Sequence, residues 1–316
     1  MSDNPDTKSP DSWAVSADAD KRIVQAALVA HETAWDWDAS IVLTGSEIDE
    51  QQPDEWRLTA YLPRAPNDAD MAAITGLFAN NAPELTTENL PPRDWLTDSQ
   101  RQVAPIMAGC FHVHTPDYPA STAPGVRNFA IPASQAFGTG HHATTAGCLA
   151  MLTHMKRSGV MARDIADIGT GTGLLAFAAM YLWPRAYATA SDIDEVCEAV
   201  VRDNASANDV VLGEGRGALA MVTAAGMDHP ALFARAPYDL LIANILAGPL
   251  TELAPDFMDA VADRGHLLLA GLLQTQEAAV RTAYRRAGFR LAKRLVRGDW
   301  SILWLRRRPE TDARNL

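Results

Sequence analysis

Residues Asp167-Ile168-Gly169-Thr170-Gly171-Thr172-Gly173 constrain this chain more than any other stretch, because three alternate glycines behind a carboxylate describe a strand turning tightly into a helix. Glycine is needed where the main chain takes φ > 0 or where a Cβ would block a ligand's approach. The run from Leu174 to Trp183 is apolar and stops at Pro184, which puts the glycines at a helix N-terminus. The spacing G-x-G-x-G differs from the G-x-G-x-x-G of dinucleotide folds, and nothing in it asks for a pyrophosphate. It favours S-adenosylmethionine over a nicotinamide dinucleotide, the plain alternative being a tight turn that binds nothing.

The next apolar run, 186–190, leads into Ser191-Asp192-Ile193-Asp194. That places a carboxylate about 20 residues beyond the glycines, where nucleotide folds accept the two ribose hydroxyls. Asp194 is nearest the helix expected at 195–204 and is its cap. Asp192 is therefore left for the ribose.

At 316 residues and 47% hydrophobic, the chain can bury one large core and a second, smaller one. Cys110, Cys148 and Cys197 lack C-x-x-C spacing, which excludes a disulfide framework and a zinc site and suits a reducing compartment. No metal is expected. The polar start has no apolar signal segment, and the longest apolar runs are too short for a bilayer, so a cytoplasmic protein with no membrane partner is expected. Charge is uneven: residues 1–90 carry 17 Asp and Glu against 5 Lys and Arg, whereas residues 91–316 carry 22 of each. An acidic domain steers basic partners, or merely aids solubility. The basic stretch from Arg281 to Arg308 reads mostly as solvated helix and strand faces, and Trp300 and Trp304 within it as packing, not a base-binding surface, so no direct nucleic-acid specificity is expected.

The first 90 residues read as strand 13–16, helix 18–35, strands 41–44 and 56–61, helix 68–79 and strand 84–89, a βαββαβ ferredoxin-like order. Pro91-Pro92 marks a boundary, and 94–105 reads as a linking helix capped by Asp94. Beyond it strands at 165–168, 186–190, 218–223, 240–243 and 266–270 alternate with helices. This predicts a parallel sheet covered on both faces. After a helix at 274–287, two runs about Arg297-Gly298-Asp299 form a hairpin that closes the sheet with an antiparallel strand. The expected domains are 1–92, a linker at 93–105, and 106–316.

Two further strings are distinctive: Ala136-Phe137-Gly138-Thr139-Gly140-His141-His142-Ala143-Thr144-Thr145, and Ile242-Ala243-Asn244-Ile245-Leu246-Ala247-Gly248-Pro249-Leu250. With the glycine motif and Ser191-Asp192-Ile193-Asp194, they resemble the PrmA family, the bacterial methyltransferases that modify protein eleven of the large ribosomal subunit. The likeness covers most of residues 95–305. It implies a Rossmann-like class I methyltransferase domain with a mostly parallel seven-stranded sheet, behind a small α+β ferredoxin-like domain that docks the substrate. It implies S-adenosylmethionine as cofactor, and lysine ε-amines and the N-terminal α-amine of a basic ribosomal protein as acceptors. Phe137, Gly138, Thr139, Gly140, Thr144 and Thr145 correspond to a lid and cofactor wall, and Asp167, Gly169, Thr170, Gly171, Gly173, Asp192 and Ile193 to cofactor contacts. Asn244 corresponds to the polar group beside the methyl donor, and so to the catalytic residue. The chain departs from many members at His141 and Ala143, and its Ala224–Asp228 segment does not match the adenine side.

The residues themselves suit that chemistry. Asn244 ends the fourth strand, where ligands of open sheets bind, and an uncharged side-chain carbonyl can accept from a neutral amine without stabilising the ammonium. A local turn bond is the alternative role. His141 and His142 open a helix and carry no catalytic assignment, while His112 and His114 share a strand face and are expected to be exposed. Other readings are a lysine methyltransferase with a different protein substrate, or a non-catalytic S-adenosylmethionine-binding module. An amide or adenine methyltransferase is disfavoured, since Asn244-Ile245-Leu246-Ala247 stands where such enzymes carry N/D-P-P-Y.

Overall fold

The computed structural model describes residues 12–32, 34, 37–38, 40–48, 54–79, 82–90, 104–132 and 141–309. These form two compact units, one ending at residue 90 and one beginning at residue 104. The expected linking helix up to residue 103 and the lid residues Phe137, Gly138, Thr139 and Gly140 lie outside the described residues, while Ala104 and Pro105, its expected end, are not helical.

The first unit runs β1 (Ser12–Asp20), helix Lys21–Glu32, β2 (Val42–Glu47), β3 (Glu55–Leu62), helix Asp68–Gly76 and β4 (Thr86–Leu90). Its antiparallel order β2-β3-β1-β4 is ferredoxin-like, as βαββαβ foretold. Val15, Ala17, Leu58, Ala60 and Leu62 recur at period two, and Val24, Ala27 and Ile74 of the two helices pack against them. Residues 18–20, expected to begin the first helix, extend β1 instead. Asp18 lies opposite Arg57 and accepts from its guanidinium at 2.5 and 2.7 Å, so the ladder outcompetes the helix there. The second helix begins as expected: Asn67 Oδ1 accepts from the amides of Ala69 and Asp70, and the Asp70 carboxylate accepts from the Asn67 amide.

The second unit opens with a small sheet, of which the sequence suggested only the strand carrying His112 and His114: β5 (Ile106–Ala108), β6 (Phe111–His114) and β7 (Arg127–Ala130). His112 and His114, expected to be exposed, are buried and half-buried, with rings stacked 5.1 Å apart. His112 Nδ1 pairs with Asn128 Oδ1 at 2.9 Å and His114 Nδ1 with the Thr115 carbonyl at 2.8 Å, so neighbouring polar groups offset their burial.

The large sheet comprises β8 (Asp164–Ile168), β9 (Tyr187–Asp192), β10 (Leu219–Thr223), β11 (Tyr238–Asn244), β12 (Val261–Leu273), β13 (Phe289–Arg297) and β14 (Trp300–Arg307). Its order is β10-β9-β8-β11-β12-β14-β13. The first five strands are mutually parallel, and β14 runs antiparallel to both its neighbours. Ile165, Leu240, Ile242, Leu268 and Ala270 enter one core, and Ala166, Leu241, Ala243, Leu267 and Leu269 the other. Strands buried on both faces in this way read as continuous apolar runs, which is how they are recognised in the sequence. Helices 174–182 and 277–286 were expected at 174–183 and 274–287; the latter begins late because Gln276 Oε1 accepts from the Leu273 amide at 2.8 Å in a turn.

Glu277, only 5% exposed, ties that helix to the closing hairpin. Its Oε1 accepts from Arg281 at 3.1 Å, and Oε2 from Arg294 on β13 at 2.5 Å and Ser301 on β14 at 2.7 Å. Burial pushes the carboxyl up, but hydrogen bonds from Ser301, Arg294 and Arg281 outweigh it and hold the group below its ordinary value. A depressed folded-state pKa contributes stability that is complete above the unfolded value of about 4.3 and is lost as pH falls through the folded one. We expect Glu277→Ala to cost about 1–3 kcal/mol at neutral pH by leaving Ser301 and Arg294 unpaired. Urea unfolding of Glu277→Gln should converge on wild type on acidification below about pH 4. Parallel profiles down to pH 3 would remove this role for the carboxylate.

Candidate active site

The strand order reverses at β8: β9 and β10 lie on one side of it, β11 and β12 on the other. In open α/β sheets the crevice beyond the carboxyl ends at such a switch point takes the ligand. Ile168, the last residue of β8, pairs with Ser191 on β9 and Ala243 on β11. The loop starting at Gly169, the carboxylate of Asp192 and the amide of Asn244 therefore reach the same end of the sheet.

Gly169, Gly171 and Gly173 have φ of 71°, 55° and 82°, conformations that L side chains rarely adopt. A Cβ on Gly169 would collide with Ile245, and one on Gly173 would come within 2.7 Å of the Phe177 ring, so packing alone requires those two. At Gly171 a Cβ would meet nothing within 4 Å. Its side of the loop faces open space, a cradle that a side chain would fill.

The loop is clamped from below. The Ser191 carbonyl accepts from the amides of Gly169 and Thr170 at 2.8 and 2.9 Å, and Asn204 Nδ2 donates to the Thr172 carbonyl at 3.0 Å. Asp192 Oδ2 accepts from the Gly171 amide at 2.8 Å and Oδ1 from the Asp194 amide at 3.2 Å. Sequence reasoning left Asp192 free for a ligand, whereas its carboxylate also anchors the loop. About four lone-pair sites on a carboxylate leave directions open for two hydroxyls. Asp194 Oδ1 accepts from the Val196 amide at 3.0 Å, the expected cap, on a helix that runs Val196–Ala207. Ile193 between them is 74% exposed, an apolar surface beside the carboxylate.

Asp167 is 1% exposed, and its Oδ2 accepts from Thr170 Oγ1 at 2.7 Å and the Ala176 amide at 3.0 Å. Burial pushes its carboxyl up to about 7; those two hydrogen bonds resist the shift and the charge of Asp192 adds to it. Asp167 Oδ1, Ser191 Oγ and Asn244 Oδ1 are buried with no partner. Six side-chain atoms among the described residues share that condition, and three of them gather here. Orphaned buried acceptors cost free energy unless a ligand completes them. Burial, with carboxylates nearby, raises the Cys148 thiol and pushes Cys197 up to about 12, so neither offers a nucleophilic thiolate.

Thr144 and Thr145 are buried in the helix His141–Arg157, which begins at the histidines as expected. Sequence reasoning missed Gly271 on β12. At φ 84° it lies so close to the Ile245 backbone that a Cβ would overlap it, and the β12–β14 register shifts between Leu269 and Leu272. A lone glycine inside the apolar run 267–273 was the available signal for such an irregularity.

The PrmA family, described as "Ribosomal protein L11 methyltransferase (PrmA)", matches residues 22–308. The ribosomal protein L11 methyltransferase of Agrobacterium fabrum (strain C58 / ATCC 33970) is 35% identical over 269 residues, 84% of this chain and 89% of that protein. That of Rhizobium meliloti (strain 1021) is 37% identical over 263 residues, covering 83% and 88%. The crystal structure of ribosomal protein L11 methylase from Lactobacillus delbrueckii subsp. bulgaricus aligns with a TM-score of 0.54 at 26% identity, over 65% of this chain and all of that one.

Asp167 gives the site a pH signature. Its value rises from about 3.9 in the unfolded chain to about 7 when folded, so within that window the folded protein holds a proton that the unfolded chain releases. Stability from this group therefore falls as pH rises from about 4 to about 7. Asp167→Asn, which keeps an acceptor for Thr170 and Ala176, should gain on wild type across the window in urea unfolding. A stability difference that does not change with pH would exclude this assignment.

Proposed function

This chain belongs to the PrmA family and is a methyltransferase, and from that premise we propose that it methylates ribosomal protein L11 on lysine ε-amines and the N-terminal α-amine. The observation that carries the reading is Asn244 Oδ1, buried and unpartnered at the end of β11 beside the Gly169–Gly173 loop. S-adenosylmethionine is the methyl donor, supplying when bound an electrophilic methyl group on a cationic sulfur. The residues present suit it. Gly171 leaves room over the loop, Asp192 has lone pairs for ribose hydroxyls, Ile193 offers an apolar surface, and Asp167 Oδ1 lacks a donor. Thr144 and Thr145, buried in the helix His141–Arg157, belong to the cofactor wall in this reading.

The protein's task is to hold a nitrogen lone pair in line at near-attack distance, which needs no nucleophilic side chain. A lysine amine starts with a pKa of about 10.4 and must be neutral to attack. Burial beside a cation lowers that value on both counts. Asn244 Oδ1 then accepts an N–H from the neutral amine and aims its lone pair. An aspartate there would favour the ammonium form and oppose the reaction. Residues 1–92 serve as the acidic substrate-recognition domain, 93–105 as linker and 106–316 as the catalytic domain. The reaction takes place in the cytoplasm, and among the described residues no helix is long and apolar enough to cross a membrane.

Asn244→Ala should lower single-turnover rate about 10- to 100-fold, the worth of one buried hydrogen bond, while cofactor affinity changes little. Asn244→Asp should also fail near neutral pH. Full activity in either variant with saturating L11 would end the positioning role.

Calorimetric affinity for S-adenosylmethionine should fall in Asp192→Ala by about 1–3 kcal/mol, or about 5- to 150-fold. Gly171→Val should lose binding through steric filling of the cradle. Unchanged affinity in both variants would displace the cofactor from this crevice. Recognition by the acidic domain predicts that association with L11 slows as salt rises from 0.01 to 0.15 M, where the Debye length shrinks from about 30 to about 8 Å. Salt-independent association would remove that docking role.

A further inference from the structure

Residues 278–308 hold ten Lys and Arg and a single acid, Asp299. Half of these cations have local duties. Arg281 and Arg294 bind Glu277, Lys293 Nζ lies 3.1 Å from His154 Nε2, Arg306 donates to the Arg264 carbonyl, and Arg307 donates to the Met258 and Val261 carbonyls. The side chains of Arg285, Arg286, Arg290, Arg297 and Arg308 are exposed and have no ion-pair or hydrogen-bond partner among the described residues. Four arginines, Arg281, Arg285, Arg290 and Arg308, line one groove of about 350 Å³ beside β13, the edge strand of the large sheet. No acidic residue lines it.

Structural duties explain part of this pattern. Arg285 and Arg286 stand in the last turn of the helix Glu277–Arg286, where cations suit the helix dipole. Charges on β13 deter edge-to-edge pairing. The edge account covers Arg290 as a charge on β13 but not its placement directly opposite Arg306, a like-charge pair that costs stability in the free protein, and neither account covers Arg308. A polyanion crossing the groove would make use of both.

We propose that this groove binds the phosphodiester backbone of RNA. A guanidinium presents a planar fork of donors that matches phosphate oxygens, and several exposed, unpaired guanidinia around one groove form the electrostatic footprint of a phosphate chain. The aromatic members of the lining, Tyr284 and Phe289, are fully buried, so bases find no stacking platform. Contact is with the backbone and carries no sequence preference, in keeping with the sequence reading. The choice of RNA over other polyanions rests on the ribosomal-protein reading above, since RNA is the polyanion next to such a substrate.

The test is fluorescence anisotropy of a fluorescein-labelled RNA hairpin titrated with the full chain over a range of salt. Wild type should bind at low salt, with log affinity falling linearly against log salt. The triple variant Arg285→Gln, Arg290→Gln and Arg308→Gln should bind about tenfold or more weakly, with a shallower slope. It should stay folded and keep its rate on free L11, while Arg202→Gln, an exposed arginine elsewhere, should bind like wild type. Equal RNA affinity in wild type and triple variant would overturn the proposal. So would polyglutamate or anionic phosphatidylserine vesicles binding the groove more tightly than the hairpin. If L11 is not methylated but the hairpin still binds through these arginines, the substrate reading fails and the groove assignment stands.

Discussion

The hydrogen bond from the Gly171 amide to the Asp192 carboxylate is the joint on which the site depends. It links the turn after β8 to the tip of β9, and with the two amides on the Ser191 carbonyl it fixes a turn whose alternate glycines hold φ values that side chains rarely adopt. Such a loop, left to itself, would pay more backbone entropy than most segments of the chain. Its conformation persists because the second strand supplies acceptors at the right register, and that register is set by the two buried cores on either face of the sheet. Packing far from the crevice thus determines where an open space is left above Gly171.

The same end of the sheet carries an electrostatic debt. A fully buried carboxyl, an amide oxygen and a hydroxyl are placed without partners where an apolar arrangement would have been cheaper. A chain tolerates this where a ligand completes the bonds. Asp167 shows how the cost is limited in the free protein: its carboxyl is pushed up to about 7, so that near neutrality it is often protonated instead of being charged in a dry site.

Much of this was legible in the residues. Period-two and continuous apolar patterns located every strand of the large sheet, because strands buried on both faces leave little choice of composition. The glycine spacing marked the turn because positive φ has few other solutions. What escaped notice depended on partners distant in sequence. Asp18 reads as the start of a helix until Arg57 is brought opposite it. The pair His112 and His114 reads as exposed until Asn128 arrives from β7. Gly271 was visible as a residue but not as a necessity, since the Ile245 backbone it accommodates belongs to the loop after β11. Asp192 was identified, yet its second duty toward Gly171 appears only once β8 and β9 are side by side.

The order β12-β14-β13 has a consequence for synthesis. The last of the described strands, β14, is not the edge of the sheet but lies between two strands translated before it. A nascent chain can finish its ferredoxin-like unit by residue 90, whereas β12 and β13 have no mutual contact to settle into until Trp300–Arg307 emerges from the ribosome. Until then one edge of β12 lacks its partner, while its other edge is paired with β11. Among the described strands, the one translated last thus closes the large sheet from within, like a keystone.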